Sequence, residues 1–494
     1  MKCNPAALLS ATILGSSLVF IDGAVVSIAL PVLQRELHAD ALAAQWVVEA
    51  YTLALGALML LSGALGDRYG RKRIFVAGTI VFAIGSILCG FAASMPILIG
   101  ARILQGIGGT MLAPASLALI AAGFSGEARG KAIGTWSGLT AVAATIGPVA
   151  GGVLIDHFGW RSVFFINVPL AIAVLALAVP FIAESRDDDA NGSLDLSGSL
   201  LVTIGLAAIV YAFVQGGSGT FGTGLTIVAV AGFVALGAFV WNETRVANPI
   251  VPPAMFGRPR FAGINLMTFF LYGTLGGLFY FLPFVLIQVD GFSATLAGFA
   301  SLPFIVAIVV LSRMAGGLVY RVGARTMLVL GPTLVASGFA CFALLSDASY
   351  LTSIFPATLL VGIGMGLTVA PLTTTLMESV PQHSVGLASG VNNAVSRVAS
   401  LLAIAVLGTA LGFAFNARVN GRMDAAHLST AQRAPIDAQR SSLAGARLSA
   451  PIARQIVHAA YIDGFHVVAG ACTLLALASA LTAALTLGGK KKTA

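Results

Sequence analysis

Apolar residues in this chain run in long stretches separated by short polar breaks. A helix needs about 20 mostly apolar residues to cross the hydrocarbon core of a bilayer. Fourteen stretches meet that length. They are Ala6–Leu33, Ala44–Leu65, Ile74–Ala93, Pro96–Gly123, Ala132–Ile155, Val163–Ala183, Leu196–Gly216, Gly224–Trp241, Phe261–Ile287, Ala294–Leu311, Met327–Leu345, Leu351–Met377, Gly386–Phe413 and Ile462–Leu487. Gly224–Trp241 is the weakest because it is short, and without it the C terminus would fall on the opposite side of the membrane. The first stretch contains Asp22 and has no A-x-A cleavage site, so it reads as a retained span rather than a signal peptide. The pattern predicts an all-α membrane protein.

Composition agrees. Charged residues make up 9% of the 494 positions and hydrophobic types 58%. A soluble domain carries roughly 25% charged residues, so this chain lacks the charge to cover a water-facing surface. A soluble enzyme, a nucleic-acid-binding module and a disordered chain are excluded. The net charge of +8 then needs another account. With the N terminus in the cytoplasm, 17 Lys and Arg fall in inner segments, while outer loops before the last hold only Arg35 and Arg161. This bias predicts cytoplasmic N and C termini, and the expected location is a bacterial inner membrane. The last outer loop, 416–461, dissents with six arginines, four of which (Arg433, Arg440, Arg447 and Arg454) recur every seven residues. That spacing places them near one helix face, interrupted by Pro435 and Pro451, as a solvated surface rather than a dedicated partner site. The four cysteines (Cys3, Cys89, Cys341 and Cys472) form no CxxC pair and no metal-ligand spacing.

The chain repeats itself. Gly63, Leu65, Arg68 and Gly70 recur as Gly316, Leu318, Arg321 and Gly323, an offset of 253. Gly106 and Gly108 recur as Gly362 and Gly364, an offset of 256. Two nearly constant offsets imply two parallel six-helix halves, a transporter architecture with its site at the halves' interface. The expected domains are an N-terminal bundle over 1–185, a segment 186–260 carrying two inserted spans, and a C-terminal bundle over 261–494 with the outer loop and a cytoplasmic tail. The polar, acidic stretch Glu184–Asp195 is a natural boundary, and its Asn191-Gly192-Ser193 sequon is discounted because the loop is expected inside the cell.

The run Gly63-x-Leu65-x-Asp67-Arg68-x-Gly70-Arg71-Lys72-Arg73 resembles the signature loop of the major facilitator superfamily. Arg102-Ile-Leu-Gln105-Gly106-Ile-Gly108-Gly109 resembles its span-4 motif, and Gly147-Pro148-Val-Ala-Gly151-Gly152 its span-5 antiporter motif. The segment Trp160–Pro169 is similar to one typical of the 14-span drug:proton antiporters. The likeness covers nearly the whole chain apart from loop 416–461. It implies two six-helix bundles plus two inserted helices, and drug export. Physically, the glycines of the first motif permit a sharp turn, and Asp67 can accept from a helix N terminus or pair with an arginine. That makes a latch for one state of a rocking cycle; the alternative is a plain positive-inside anchor. In the second copy Tyr320 replaces the acid, so its latch is weaker or absent. The Gly-Pro-Gly-Gly run allows close packing and a kink.

Only Asp22, Glu49, Arg102 and Arg397 lie well inside the spans. An ionisable group at membrane depth marks a pathway or a pair. At helical rise, Asp22 lies about 16 Å, Glu49 about 7.5 Å and Arg102 about 9 Å from the outer ends of their spans, so the three can meet. A carboxyl in low dielectric holds its proton more tightly and a nearby arginine opposes this, so Asp22 with Arg102 is the candidate proton-coupling site. The Asp22 segment resembles the family's span-1 proton-coupling segment, departing from it at Gly23 and Ser27. Glu49, flanked by Trp46 and Tyr51, suits a cation through charge and cation–π attraction, as in the branch exporting quaternary ammonium compounds; the alternative is a carboxyl snorkelling to the surface. Asn392, Asn393 and Arg397, the last about 16 Å from the inner end of its span, either shape the cavity or bond backbone across helices.

The expected function is proton-coupled export of lipophilic, cationic small molecules by alternating access. No cofactor is expected, since Gly126–Ala132 only approaches a phosphate-binding loop and lacks its Ser or Thr. The expected partners are the small-molecule substrate, protons and the lipid bilayer, with no nucleic acid; a periplasmic adaptor is left open. The alternatives are an exporter or symporter of one specific metabolite or antibiotic and, in another class, a channel or membrane enzyme, for which no nucleophile–base set appears.

Overall fold

A computed structural model of the chain describes residues 4–186, 195–217, 221–344, 350–381 and 384–488. The acidic run Asp187–Asp189, the sequon, Cys3, the terminal lysines and the Tyr320 side chain lie outside the described residues. Among those residues the secondary structure is helical, with no strand. Among the described residues, fourteen helices are long and apolar enough to cross a membrane. We label them α1 (Pro5–Glu36), α2 (Ala41–Tyr69), α3 (Arg71–Gly90), α4 (Met95–Gly123), α5 (Gly126–Phe158), α6 (Ser162–Phe181), α7 (Leu196–Gly216), α8 (Thr223–Glu243), α9 (Pro259–Val289), α10 (Ala294–Ala315), α11 (Ala324–Leu344), α12 (Tyr350–Glu378), α13 (Val385–Ala425) and α14 (Pro451–Thr486). The chain is a multi-pass membrane protein, and the weakest predicted span is realised as α8.

Local sequence explains where the helices begin. Asn4 accepts hydrogen bonds from the Ala6 and Ala7 N–H groups at 3.1 and 3.3 Å, and Pro5 occupies the first turn of α1. Asp40 accepts from the Ala43 N–H at 2.7 Å to start α2. Glycine decides how close α3 and α4 come. A methyl group at Gly78 would stand 2.6 Å from Met111 Cβ, and one at Gly85 2.6 Å from the Gln105 backbone nitrogen. The two backbones therefore touch, which only small residues permit.

The chain divides into two compact units: Met1–Ile209 with Val230–Val251 and Phe292–Phe299, and Val210–Ala229 with Pro252–Gly291 and Ala300–Ala494. In the first, a core of Leu18, Val19, Leu55, Phe75, Phe82, Leu112 and Val174 packs between α1, α2, α3, α4 and α6. In the second, α13 and α14 overrun their predicted spans, starting or ending well beyond the apolar stretches Gly386–Phe413 and Ile462–Leu487. A hydropathy reading stops where polar residues begin, whereas the helix continues through them. Most of the stretch 416–461 is thus ordered helix, including Thr430–Ala438. Its four regularly spaced arginines do not share a helix face: Arg433 lies on that helix, Arg440 in a 3-10 turn, Arg447 in an irregular stretch and Arg454 on α14. Arg433 pairs with Asp424 at 2.7 Å, Arg440 with Asp437 at 2.7 Å, Arg454 donates to the Leu448 carbonyl at 3.2 Å, and the Arg447 backbone N–H and carbonyl bond the Gln439 side chain at 2.6 and 3.0 Å, so all four help fasten the segment to itself.

Candidate functional site: a buried polar cluster around Asp22

Asp22 lies midway along α1 with 0% of its surface exposed, and Arg102 on α4 is 1% exposed. The Arg102 Nη1 donates to Asp22 Oδ2 at 2.5 Å. Asp22 Oδ1 accepts from Gln105 Nε2 at 2.8 Å and from Asn167 Nδ2 at 3.1 Å. Three donors thus converge on one carboxylate. Arg102 also donates from Nε to the Val47 carbonyl at 3.1 Å and from Nη1 to Gln105 Oε1 at 2.7 Å. Its guanidinium stacks over the Tyr51 ring at 4.0 Å, and the Tyr51 hydroxyl donates to the Val19 carbonyl at 3.3 Å. Ser86 completes the cluster: it accepts from Gln105 at 3.2 Å and Asn167 at 3.0 Å and donates to the Phe164 carbonyl at 2.8 Å. A charge so buried is tolerable only when paired and hydrogen-bonded, and this one is.

The local sequence brings these groups together. Arg102 and Gln105 are three apart on α4 and so share a face. Gly85 lets that face press on α3 next to Ser86. Gly147 and Gly151 of the Gly-Pro run lie against α1 in the turn just after Asp22: methyl groups there would meet Ala24 Cβ at 2.6 Å and Val25 Cγ1 at 2.8 Å. Pro148 and Gly152 face the segment 294–298 within the same unit, where Asp156 accepts from the Ala294 and Thr295 N–H groups at 3.2 and 2.8 Å.

Of the predicted residues, Asp22 and Arg102 meet, and Glu49 does not bond to either. Glu49 is 0% exposed on α2, receives one hydrogen bond from Gln45 at 3.3 Å, and its Oε2 has no hydrogen-bond partner. It does not snorkel. Trp46 is half-buried on the same helix, whereas Tyr51 serves Arg102. In the second unit Asn392 donates to Asn265 at 3.1 Å and Thr268 at 2.9 Å, linking α13 to α9. Asn393 is exposed and turns back to the Ser389 carbonyl at 3.0 Å, while Arg397 lies within electrostatic range of Tyr272. Sequence reasoning assigned no role to Gln105, Asn167 or Ser86. The first two stand inside quoted motifs, and only the spacing of Gln105 from Arg102 signals its place.

At the α2–α3 turn, Asp67 pairs with Arg71 at 2.7 Å, one helical turn away. The N terminus of α3 is capped instead by Glu184, which accepts from the Lys72 and Arg73 N–H groups at 3.0 and 3.1 Å. Gly70 sits at φ 113°, and a methyl group there would stand 2.7 Å from the Glu184 carboxyl carbon, so glycine is required twice over. Arg68 stacks on Tyr69 at 5.6 Å, and Gly63 stands 3.9 Å, measured from an added methyl, from Pro114 Cβ.

Comparison with known proteins agrees with this architecture. The Major Facilitator Superfamily matches residues 12–404. Multidrug resistance protein Stp of Mycobacterium tuberculosis is 33% identical over 431 residues, covering 86% of this chain and 79% of that protein. The tetracenomycin C resistance and export protein of Streptomyces glaucescens is 31% identical, covering 97% of this chain and 92% of that one. Among solved structures, a bacterial homologue of the human lysosomal transporter Spinster, inward-facing and unoccupied, superimposes with a TM-score of 0.68 at 17% identity, covering 98% of this chain and 96% of the other.

Proposed function

The chain belongs to the Major Facilitator Superfamily, a family of transporters and not of enzymes, and from that premise we propose that it exports lipophilic, cationic drugs from the cytoplasm in exchange for protons. The observation that carries the proton half is the 2.5 Å contact between Arg102 and Asp22 Oδ2. A proton arriving on that oxygen competes with the guanidinium for the same lone pair. Protonation therefore loosens Arg102, and with it the Val47 carbonyl and Tyr51 ring that Arg102 holds on α2. Gln105 and Asn167 are amides and adapt, because each can present either its oxygen or its N–H to the altered carboxyl. The proton gradient drives the cycle, and no cofactor is required.

Glu49 supports the cation half. A buried carboxyl with an unused oxygen suits a ligand that brings positive charge, and such a ligand would compensate it. The Asp67–Arg71 pair and the Glu184 cap suit a cytoplasmic latch that favours one state. In this reading both termini are cytoplasmic, the location is the bacterial cytoplasmic membrane, and no periplasmic adaptor is invoked. The names of the relatives, one a multidrug resistance protein and one a tetracenomycin C export protein, support drug export. The second of these favours an alternative, export of one antibiotic, because its match extends over nearly both whole chains.

Proton release from energised inverted vesicles on addition of lipophilic cations tests the proposal. Release in wild type and none in Asp22→Asn is the expected result. If vesicles expel no protons with any such cation, antiport fails. If only one antibiotic triggers release, the single-substrate alternative holds.

A further inference from the structure

The inserted helices α7 and α8 carry a buried acidic pair, away from Asp22 and, by the count of spans, on the membrane face where the α2–α3 turn lies. Asp195 precedes α7 and Glu243 ends α8; they are 8% and 3% exposed. Asp195 is rich in donors. Its Oδ1 accepts from the Gly198 N–H and the Ser197 hydroxyl, each at 2.7 Å, and the Asn242 amide reaches Oδ1 and Oδ2 at 3.1 and 2.9 Å. Glu243 differs. Its Oε2 accepts from the Val251 N–H at 2.6 Å, but its buried Oε1 receives no donor. That orphan oxygen is aimed at Asp195. A methyl group at Gly198 would stand 2.7 Å from Glu243 Oε1 and would also collide with Asp195 Oδ2, so the two carboxyl groups converge on this glycine. Glu243 stands within hydrogen-bond reach of the Asp195 carboxylate.

Two carboxylate oxygens cannot face each other at that range in a buried setting unless something lies between them. We propose that Asp195 and Glu243 share one proton, making a proton-binding clasp that ties both ends of the inserted hairpin to the connector at Val251. Glu243 is the member that carries the proton. Burial works to raise the Asp195 carboxyl, but the Gly198 N–H, Ser197, Glu243 and Asn242 outweigh burial and hold it below the ordinary carboxylate range. The charged groups on the segments that meet here are Asp195, Glu243 and Arg245, and the guanidinium of Arg245 is engaged over the Trp241 ring at 4.2 Å. The proton comes from solvent on that face. Its loss as pH rises leaves two facing negative charges, and their repulsion pushes Glu243 away from Asp195 and strains its hydrogen bond to the Val251 N–H. The clasp then opens at alkaline pH and closes at acid pH, which lets the connector sense pH independently of Asp22.

The test is amide hydrogen exchange over residues 245–251 of the full chain in detergent, corrected for the intrinsic pH dependence of exchange. In wild type, protection should fall about tenfold or more as pH rises through neutrality, one unit of linkage being worth that factor. Glu243→Gln supplies a permanent N–H donor to Asp195 and should remain protected at every pH. It should also lose an infrared band of a protonated carboxyl that wild type shows. Flat wild-type protection, or a Glu243→Gln profile identical to wild type, overturns the proposal. So does protection at alkaline pH that calcium restores and a chelator removes, because the oxygens would then be holding a metal. Asp22→Asn should leave the profile unchanged, and a profile that follows Asp22 also overturns an independent clasp.

Discussion

Asp22 and Glu49 are both carboxyl groups, both in the first unit, and both wholly buried. Asp22 is saturated with donors, including a guanidinium; Glu49 receives one amide hydrogen bond and leaves an oxygen unused. Depth alone therefore does not describe a buried acid. A saturated carboxylate is part of the folded framework and can change state only by breaking bonds, so it suits coupling. A starved carboxylate costs the fold free energy until a proton or a cation arrives, so it suits binding.

The largest effect should come from breaking the saturated site. Asp22→Ala leaves Arg102 buried and unpaired, which should cost about 3–5 kcal/mol of stability. A fall in melting temperature in detergent, larger than for any Glu49 variant, is the check. Equal falls at both positions would erase the contrast. Arg102→Lys keeps the charge but loses the fork of donors and most of the ring stacking. It should cost about 1–2 kcal/mol, read from the same melts, and weaken coupled transport.

Next comes a control remote from both acids. Glu184→Ala removes the cap of α3 and should cost about 1 kcal/mol. Melting should drop modestly, and substrate should still release protons, but more slowly, because Glu184 belongs to the latch and not to the coupling site. At Glu49 the sign should change: Glu49→Gln should leave melting unchanged or raise it, while resistance to dications falls more than resistance to neutral drugs. Equal loss for both drug classes would argue against a cation-binding role. The smallest effect is at Asp290, at the end of α9, where burial pushes the carboxyl up to about 6. Its folded value exceeds its unfolded one, so its stabilising contribution is present in acid and is lost as pH rises from about 4 towards 6. Asp290→Asn should flatten that part of a melting-versus-pH curve.

Much of this was legible in the sequence because membrane proteins penalise charge so heavily. Fourteen spans follow from hydropathy, and Asp22 and Arg102 stand out because so few charges lie inside spans. The neutral members of the cluster do not stand out. Ser86, Gln105 and Asn167 are ordinary polar residues until helix rotation and the Gly85 contact aim them at one carboxylate. Glu184 looked like part of a polar boundary, yet it caps a helix more than a hundred residues earlier in the chain. Conversely, the even spacing of arginines in 416–461 suggested a helix that the chain does not form as one piece: Pro435 is accommodated inside Thr430–Ala438, and the 3-10 turn at 440–445 and the new start at Pro451 make the break.

The glycine contacts between α3 and α4 bear on how such a protein can change under selection. At Gly78, Gly85 and Gly108 there is no room for even one added carbon. Variants that acquire new drugs must therefore arise elsewhere. The seam acts as a historical constant: descendants can diverge in what they carry, but they inherit the same spacing between the two helices that hold Ser86, Arg102 and Gln105 in register.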